Sequence, residues 1–229
     1  MKRIGIFGGT SPESTVEYYR RLTREYVRRF GDHAYPEILI HSVSFQRYID
    51  WMIAGAWDDV ARGAIEGMQV LADGGAEIGL MATNTFHKVF DVVSAASPIP
   101  LISLLDVVAD RLVALGCRRP GLLGTRFTMS GSFYPDRLRR DGIDVLVPSE
   151  REKAEIDRVI FDELTAGAVT EPSKLALKET AERLIGAGAD AIILGCTELP
   201  LLLAEGDVSV PVIDTTAVHA DAVLEAALA

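Results

Sequence analysis

Short runs of apolar, β-branched residues alternate along the whole chain with longer amphipathic stretches, and this alternation restricts the fold more than any other feature. Ile4 to Phe7 ends in Gly8-Gly9 and leads into a helical pattern from about Pro12 to Phe30. Ser11 is placed to cap that helix, with Pro12 at its first position and Glu13 in its first turn. Further strands are expected at Glu37 to Ser42, Glu77 to Ala82, Pro100 to Ser103, Pro120 to Gly124, Asp144 to Val147, Asp190 to Leu194 and Pro211 to Ile213. Helical patterns run from about Trp57 to Gly74, Thr85 to Ala95, after Ser103 to Leu115, Arg151 to Leu164 and Pro172 to Gly186. Such alternation predicts an α/β fold with parallel sheets and helices on both faces, and ligands that collect at the carboxyl ends of the strands.

An internal repeat sharpens this expectation. Ile4-Gly5-Ile6-Phe7-Gly8-Gly9-Thr10 resembles Pro120-Gly121-Leu122-Leu123-Gly124-Thr125, at 121 − 5 = 116. Glu77 to Thr85 resembles Asp190 to Glu198, at 196 − 83 = 113, and Ile99 to Ile102 resembles Val210 to Ile213, at 210 − 99 = 111. Nearly constant offsets in one order imply duplicated halves of roughly 110 residues, which is domain size. The expected architecture is two similar, pseudo-symmetric domains, residues 1–98 plus 211–229 and residues 99–210, each a parallel-sheet α/β sandwich. Pseudo-twofold symmetry would place Thr83 and Cys196 facing each other across one cleft.

Charge narrows the ligands. Lys plus Arg is 23 and Asp plus Glu is 33, a net charge of −10, and no basic stretch offsets it, which disfavours nucleic acid and anionic membrane surfaces. Apolar runs such as Ala191 to Leu194 fall far short of the ~18 residues a membrane span needs. Met1-Lys2-Arg3 leads into only four apolar residues before Gly8-Gly9, too few for a signal-peptide core. Two cysteines make no disulfide framework, so a reducing cytoplasm is expected.

Several motifs are absent. Gly8-Gly9-Thr10-Ser11 carries no phosphate-loop Lys and lacks the further glycines of a dinucleotide site. There is no G-x-S-x-G elbow, and His33, His41, His87 and His219 form no H-E-x-x-H, so no metal is expected. There remains a pair of polar tips on apolar strands: Thr83-Asn84-Thr85-Phe86-His87 and Gly195-Cys196-Thr197-Glu198. A thiol between a strand and a helix meets free backbone N–H groups and a positive dipole end, which favours thiolate. The alternative for Cys196 is a small buried hydrophobe; Cys117, at a helix exit, reads as structural.

Gly195-Cys196-Thr197-Glu198 resembles the second-half signature of the aspartate/glutamate racemase superfamily, the cofactor-independent racemases. Thr83-Asn84-Thr85-Phe86-His87 resembles its first-half signature, which usually opens with Cys, and Gly8-Gly9-Thr10 and Gly121 to Thr125 are also similar. The resemblance runs from Ile4 to about His219 and implies two α/β domains with the site in the cleft between them, a homodimer, an amino-acid substrate and no cofactor. It implies Cys196 and Thr83 as the acid/base pair on opposite faces of the substrate, as in a subgroup with Thr in place of the first cysteine. It further implies Thr10, Asn84, Thr85, Thr125 and Thr197 as substrate-binding, with His87 and Glu198 supporting. Arg47 lines up with the family's Arg clamp, with an exposed Arg at a loop edge as the alternative reading. Aspartate-specific members use a Lys near Leu164-Thr165-Ala166-Gly167, where this chain has Thr165. Beside racemisation of aspartate or glutamate stand two other readings: a single-thiol decarboxylase or cis–trans isomerase, and a non-catalytic amino-acid-binding protein.

Overall fold

A computed structural model describes all 229 residues, which divide into two compact units, residues 1–104 with 219–229 and residues 105–218. Unit 1 opens with β1 (Ile4–Gly8), α1 (Pro12–Phe30), β2 (Ile38–Ser42), α2 (Phe45–Ile53), α3 (Trp57–Asp73) and β3 (Ile78–Met81). A 3₁₀ helix, Thr85–Val89, then runs into α4 (Phe90–Ala96). The division falls at the first residue of α5 (Leu104–Leu115). Unit 2 continues with β4 (Gly121–Gly124), α6 (Arg126–Ser130), α7 (Phe133–Arg139), α8 (Glu150–Arg158), a π-helical turn Val159–Glu163 and α9 (Glu171–Gly186). It ends in β5 (Ile192–Gly195), a 3₁₀ turn Leu199–Leu201 and β6 (Val212–Asp214), which feeds the last helix, α10 (Thr215–Leu228).

Each unit holds one parallel sheet, ordered β2-β1-β3 and β4-β5-β6. The strands β1, β3, β4 and β5 are buried at every position, as parallel strands covered on both faces must be, whereas the edge strand β2 is half-buried. Single-residue bridges extend both sheets: Leu101 beside Gly79, and Leu146 beside Gly121. Unit 1 therefore carries the row Leu39–Gly5–Gly79–Leu101, and unit 2 the row Leu146–Gly121–Ile192–Val212. The offsets 121 − 5 = 116, 192 − 79 = 113 and 212 − 101 = 111 are those of the sequence repeat, so the two sheets share order and register.

The packing repeats as well. A Cβ on Gly5 would press on Leu71, and one on Gly121 would press on Leu184, again 184 − 71 = 113. In both units a leucine near the end of the crossover helix lies on a glycine of the neighbouring strand. On the face of the sheet away from Leu71, unit 1 buries Ile4, Ile6, Ile78 and Leu80 against Tyr18 and Leu22 of α1 and Val223 and Leu224 of α10. Unit 2 buries Leu123, Ile192 and Leu194 against Ile156, Leu177 and Leu184.

The structure corrects several expected elements. Pro100–Ser103 and Asp144–Val147 contribute only the bridges at Leu101 and Leu146; Pro100 has no N–H to continue a ladder. The segment Thr85 to Ala95 starts as a 3₁₀ helix, and Arg151 to Leu164 breaks into a π-turn at Val159. Ser11 is the residue before α1, yet its side chain makes no capping bond; its φ of 116° is far from the extended backbone that lets an N-cap side chain reach back. No helix is long and apolar enough to cross a membrane.

Candidate active site

In unit 1 the carboxyl ends of β1 and β3 lie side by side, because the two strands pair in parallel from Ile4↔Ile78 to Phe7↔Met81. Beyond β1, Gly9 adopts φ 87°, and a Cβ there would sit 2.4 Å from the Val43 carbonyl oxygen, so conformation and close approach both demand glycine. Thr15, in the first turns of α1, ties this turn down: its Oγ1 accepts from Gly9 N–H at 2.8 Å. Thr10 follows, buried, and its Oγ1 has no hydrogen-bond partner within the chain. Such a group costs on the order of 1–3 kcal/mol when left unmet.

Beyond β3 the chain turns tightly, with Ala82 N–H on Phe7 O at 2.9 Å and Thr83 N–H on Met81 O at 2.8 Å. Thr83 and Thr85 are partly exposed and Asn84 is buried. His87 is buried with both ring nitrogens engaged. Nε2 accepts from Leu104 N–H at 3.0 Å, so Nδ1 carries the proton and donates to Thr83 O at 2.9 Å. Burial pulls its pKa down to about 4. A neutral ring tied at both ends is a brace, not a proton shuttle. Arg47 lies on α2, not at a loop edge, exposed, with its guanidinium 5.4 Å from the Tyr48 ring centre and 5.1 Å from that of Trp51. The spacing of Phe45, Tyr48, Ile49 and Met52 is the signal that identifies this helix.

In unit 2 Cys196 stands beyond the tip of β5, the central strand, and Thr125 beyond the tip of β4, with Gly124 and Gly195 in register. Thr125 caps α6, its Oγ1 accepting from Thr128 N–H at 3.4 Å. Cys196 donates from Sγ to Glu198 Oε2 at 3.0 Å, and Thr197 Oγ1 donates to the same oxygen at 2.7 Å. Glu198 is buried. These surroundings work against the expected thiolate. Burial first, then the Glu198 carboxylate, push the Cys196 thiol well up, outweighing the backbone N–H groups of Thr197 and Glu198 that favour the anion. The chain after Cys196 forms one 3₁₀ turn, not an α-helix, so little dipole opposes the carboxylate. Cys117 is buried with Sγ on Asp190 O at 3.5 Å, a structural position.

Two further features carry no local sequence signal. Thr216, behind β6, is buried and its Oγ1 lacks a partner in the chain, although Asp214 Oδ1 accepts from its N–H at 3.0 Å. His219 and Tyr18 form a buried pair at 2.8 Å across 201 residues of sequence, which no periodicity announces. No three His, Cys, Asp or Glu side chains are gathered to hold a metal.

Two parallel three-stranded sheets of repeated register, with polar side chains beyond the strand tips of each, make this an α/β fold of duplicated design. Residues 7–223 match the model of the Asp/Glu/Hydantoin racemase family, and the chain belongs to that family. It is similar to a putative Asp/Glu racemase of Yersinia pestis, 37% identical over the whole of both chains with a TM-score of 0.92. An aspartate racemase homologue of Pyrococcus horikoshii OT3 is 38% identical, again over both whole chains, with a TM-score of 0.87. The broad specificity amino-acid racemase RacX of Bacillus subtilis (strain 168) is 24% identical over 99% of this chain and 98% of its own length.

Proposed function

We propose that the chain racemises an amino acid, most favourably aspartate or glutamate, without a cofactor, exchanging the Cα proton between Cys196 on one face and Thr83 on the other. The observation that carries this reading is their equivalence: each follows the tip of the matching strand, 113 residues apart, in a racemase-family chain.

The chemistry builds on the local bonds. Glu198 accepts the Cys196 thiol proton, since the two already share it at 3.0 Å. The thiolate removes the Cα proton, and the Thr83 hydroxyl delivers its own proton to the opposite face. The alkoxide left on Thr83 is reprotonated through solvent, which also takes the proton parked on Glu198, so the protons balance. Thr10, Asn84, Thr85, Thr125 and Thr197 supply donors to the substrate carboxylate, whose charge grows in the transition state. Arg47 meets a side-chain carboxylate. Thr165 in place of Lys, together with the broad specificity in the relative's name, supports testing neutral amino acids as well. A cytoplasmic homodimer belongs to the same proposal.

The test is incubation with each enantiomer of aspartate, glutamate and alanine in deuterated water, following Cα exchange by NMR and inversion by chiral chromatography. Inversion with one deuteron gained per turnover supports the reading. Release of carbon dioxide, or binding without exchange, overturns it.

A further inference from the structure

The geometry points to His219, oriented by Tyr18, as a positioning residue for proton delivery at Thr83, acting through Ile102, Leu104 and His87. The inference rests on the proposed role of Thr83.

The connector from Pro100 to Leu104 has little sheet to hold it. Its ladder consists of Gly79 N–H on Pro100 O at 2.9 Å and Ile102 N–H on Gly79 O at 3.0 Å. Two buried imidazoles add a bond each. His219 Nε2 donates to Ile102 O at 2.9 Å, and His87 Nε2 accepts from Leu104 N–H at 3.0 Å, the first residue of α5. The two rings meet edge to face, with centres 6.1 Å apart. His87 then carries the constraint onward, because its Nδ1–H holds the carbonyl of Thr83 itself.

The tautomers make this a directed arrangement. A backbone carbonyl can only accept, so His219 must carry its proton on Nε2, which leaves Nδ1 as acceptor for the Tyr18 hydroxyl at 2.8 Å. The Ile102 carbonyl thus fixes the His219 tautomer, and the Tyr18 hydroxyl, able to donate or accept, donates to Nδ1 and holds the ring in place. On His87 the order is reversed: the Leu104 N–H can only donate, so Nε2 accepts and Nδ1 donates. Tyr18 and His219 are essentially inaccessible to solvent, at 1% and 0% exposed, so neither meets a small substrate directly. Their effect on turnover must run through the backbone of Thr83. Displacing a reacting group by about 1 Å costs up to ~100-fold in rate, so a brace on the backbone that carries the hydroxyl matters.

The readout is the ratio of Cα exchange with retention to inversion in deuterated water. Exchange with retention needs only the Cys196 face; inversion needs Thr83 as well. A variant that merely loosens the fold lowers both and leaves the ratio alone. His219→Leu is expected to raise the ratio about tenfold. His219→Gln, whose amide can still donate to Ile102 O, is expected to stay within about twofold of the parent. Tyr18→Phe keeps the packing and removes the bond that orients the His219 ring, with an expected rise of about threefold, and it decides the matter if His219→Leu does not fold. Thr83→Ala is measured in parallel. If Thr83→Ala raises the ratio and neither His219→Leu nor Tyr18→Phe does, the positioning role is wrong while that of Thr83 stands. If Thr83→Ala leaves the ratio unchanged, the role of Thr83 itself is wrong.

Discussion

Cys196 shares its proton with Glu198 across 3.0 Å, and Glu198 in turn takes the Thr197 hydroxyl at 2.7 Å. The resting thiol is therefore a donor held by a buried carboxylate, which in the proposed reaction relieves it of its proton.

Replacing Glu198 by Gln removes the negative charge that raises the thiol while keeping an acceptor of the same shape. In a Cys117→Ala background, iodoacetamide should alkylate Cys196 faster at pH 7 in Glu198→Gln than in its parent. Racemisation should fall by about 10²–10⁴-fold, the usual worth of a positioned general base. Slower alkylation would show that the carboxylate promotes the thiolate at rest instead of suppressing it.

Cys196→Ala should abolish Cα exchange with every substrate while the circular dichroism spectrum and melting temperature stay near those of the parent. Cys117→Ala removes a buried thiol at the other end of β5 from Cys196 and should leave turnover nearly unchanged. Equal losses from the two substitutions would sink the assignment of Cys196.

A threonine hydroxyl donates to a carbanion-like centre but is scarcely ionised near neutral pH, so it starts the reverse reaction poorly. Initial rates should differ markedly between enantiomers, with the equilibrium constant of one met through compensating KM values. Thr83→Cys restores a second thiol at nearly the same volume and should speed the slow direction more than the fast one. An equal response in both directions would reduce Thr83 to a pocket wall.

The two buried histidines make stability depend on pH in a known direction. Their folded pKa values, about 4 for His87 and about 3 for His219, lie below the ~6.5 of an unfolded histidine, mainly through burial. Above pH ~6.5 both states hold them neutral and the stability is fully present. As pH falls from there towards 4 the unfolded chain binds protons that the folded chain refuses, so stability drops by on the order of 1 kcal/mol per pH unit for each histidine near pH 5. Urea unfolding at pH 7, 6 and 5 measures this; an unchanged midpoint over that range would contradict the burial of both rings.

Two glycines should respond oppositely to alanine. At Gly8 a Cβ would sit 2.5 Å from Thr15 Oγ1 and 2.6 Å from its Cγ2, so Gly8→Ala should cost about 1–3 kcal/mol and disturb the Gly9–Thr15 bond. At Gly186, the last residue of α9, nothing lies within 4 Å, and Gly186→Ala should stabilise by about 0.5–1 kcal/mol. Thermal unfolding of the two variants checks the signs.

By itself the sequence determined the class of fold, the doubling of the unit and the two strand tips proposed to carry the chemistry. These are local and periodic signals: buried parallel strands read as continuous apolar runs, and a duplicated register leaves constant offsets such as 113 between Leu71 and Leu184 or Thr83 and Cys196. It also named Glu198 beside Cys196. Only the tertiary structure decided what that neighbour does. The protonation of Cys196 depends on burial and on which oxygen meets the thiol, and these outweigh the backbone groups the local motif supplies. In the same way Ser11 does not cap α1, because its φ of 116° removes the geometry a cap needs, while Thr15 holds the turn after β1 by accepting from Gly9 N–H. Tyr18 and His219 stand 201 residues apart and meet only because α1 and α10 share one core. A hydrogen bond between residues so distant along the chain leaves no period to read, since nothing but the packing of the folded unit sets it.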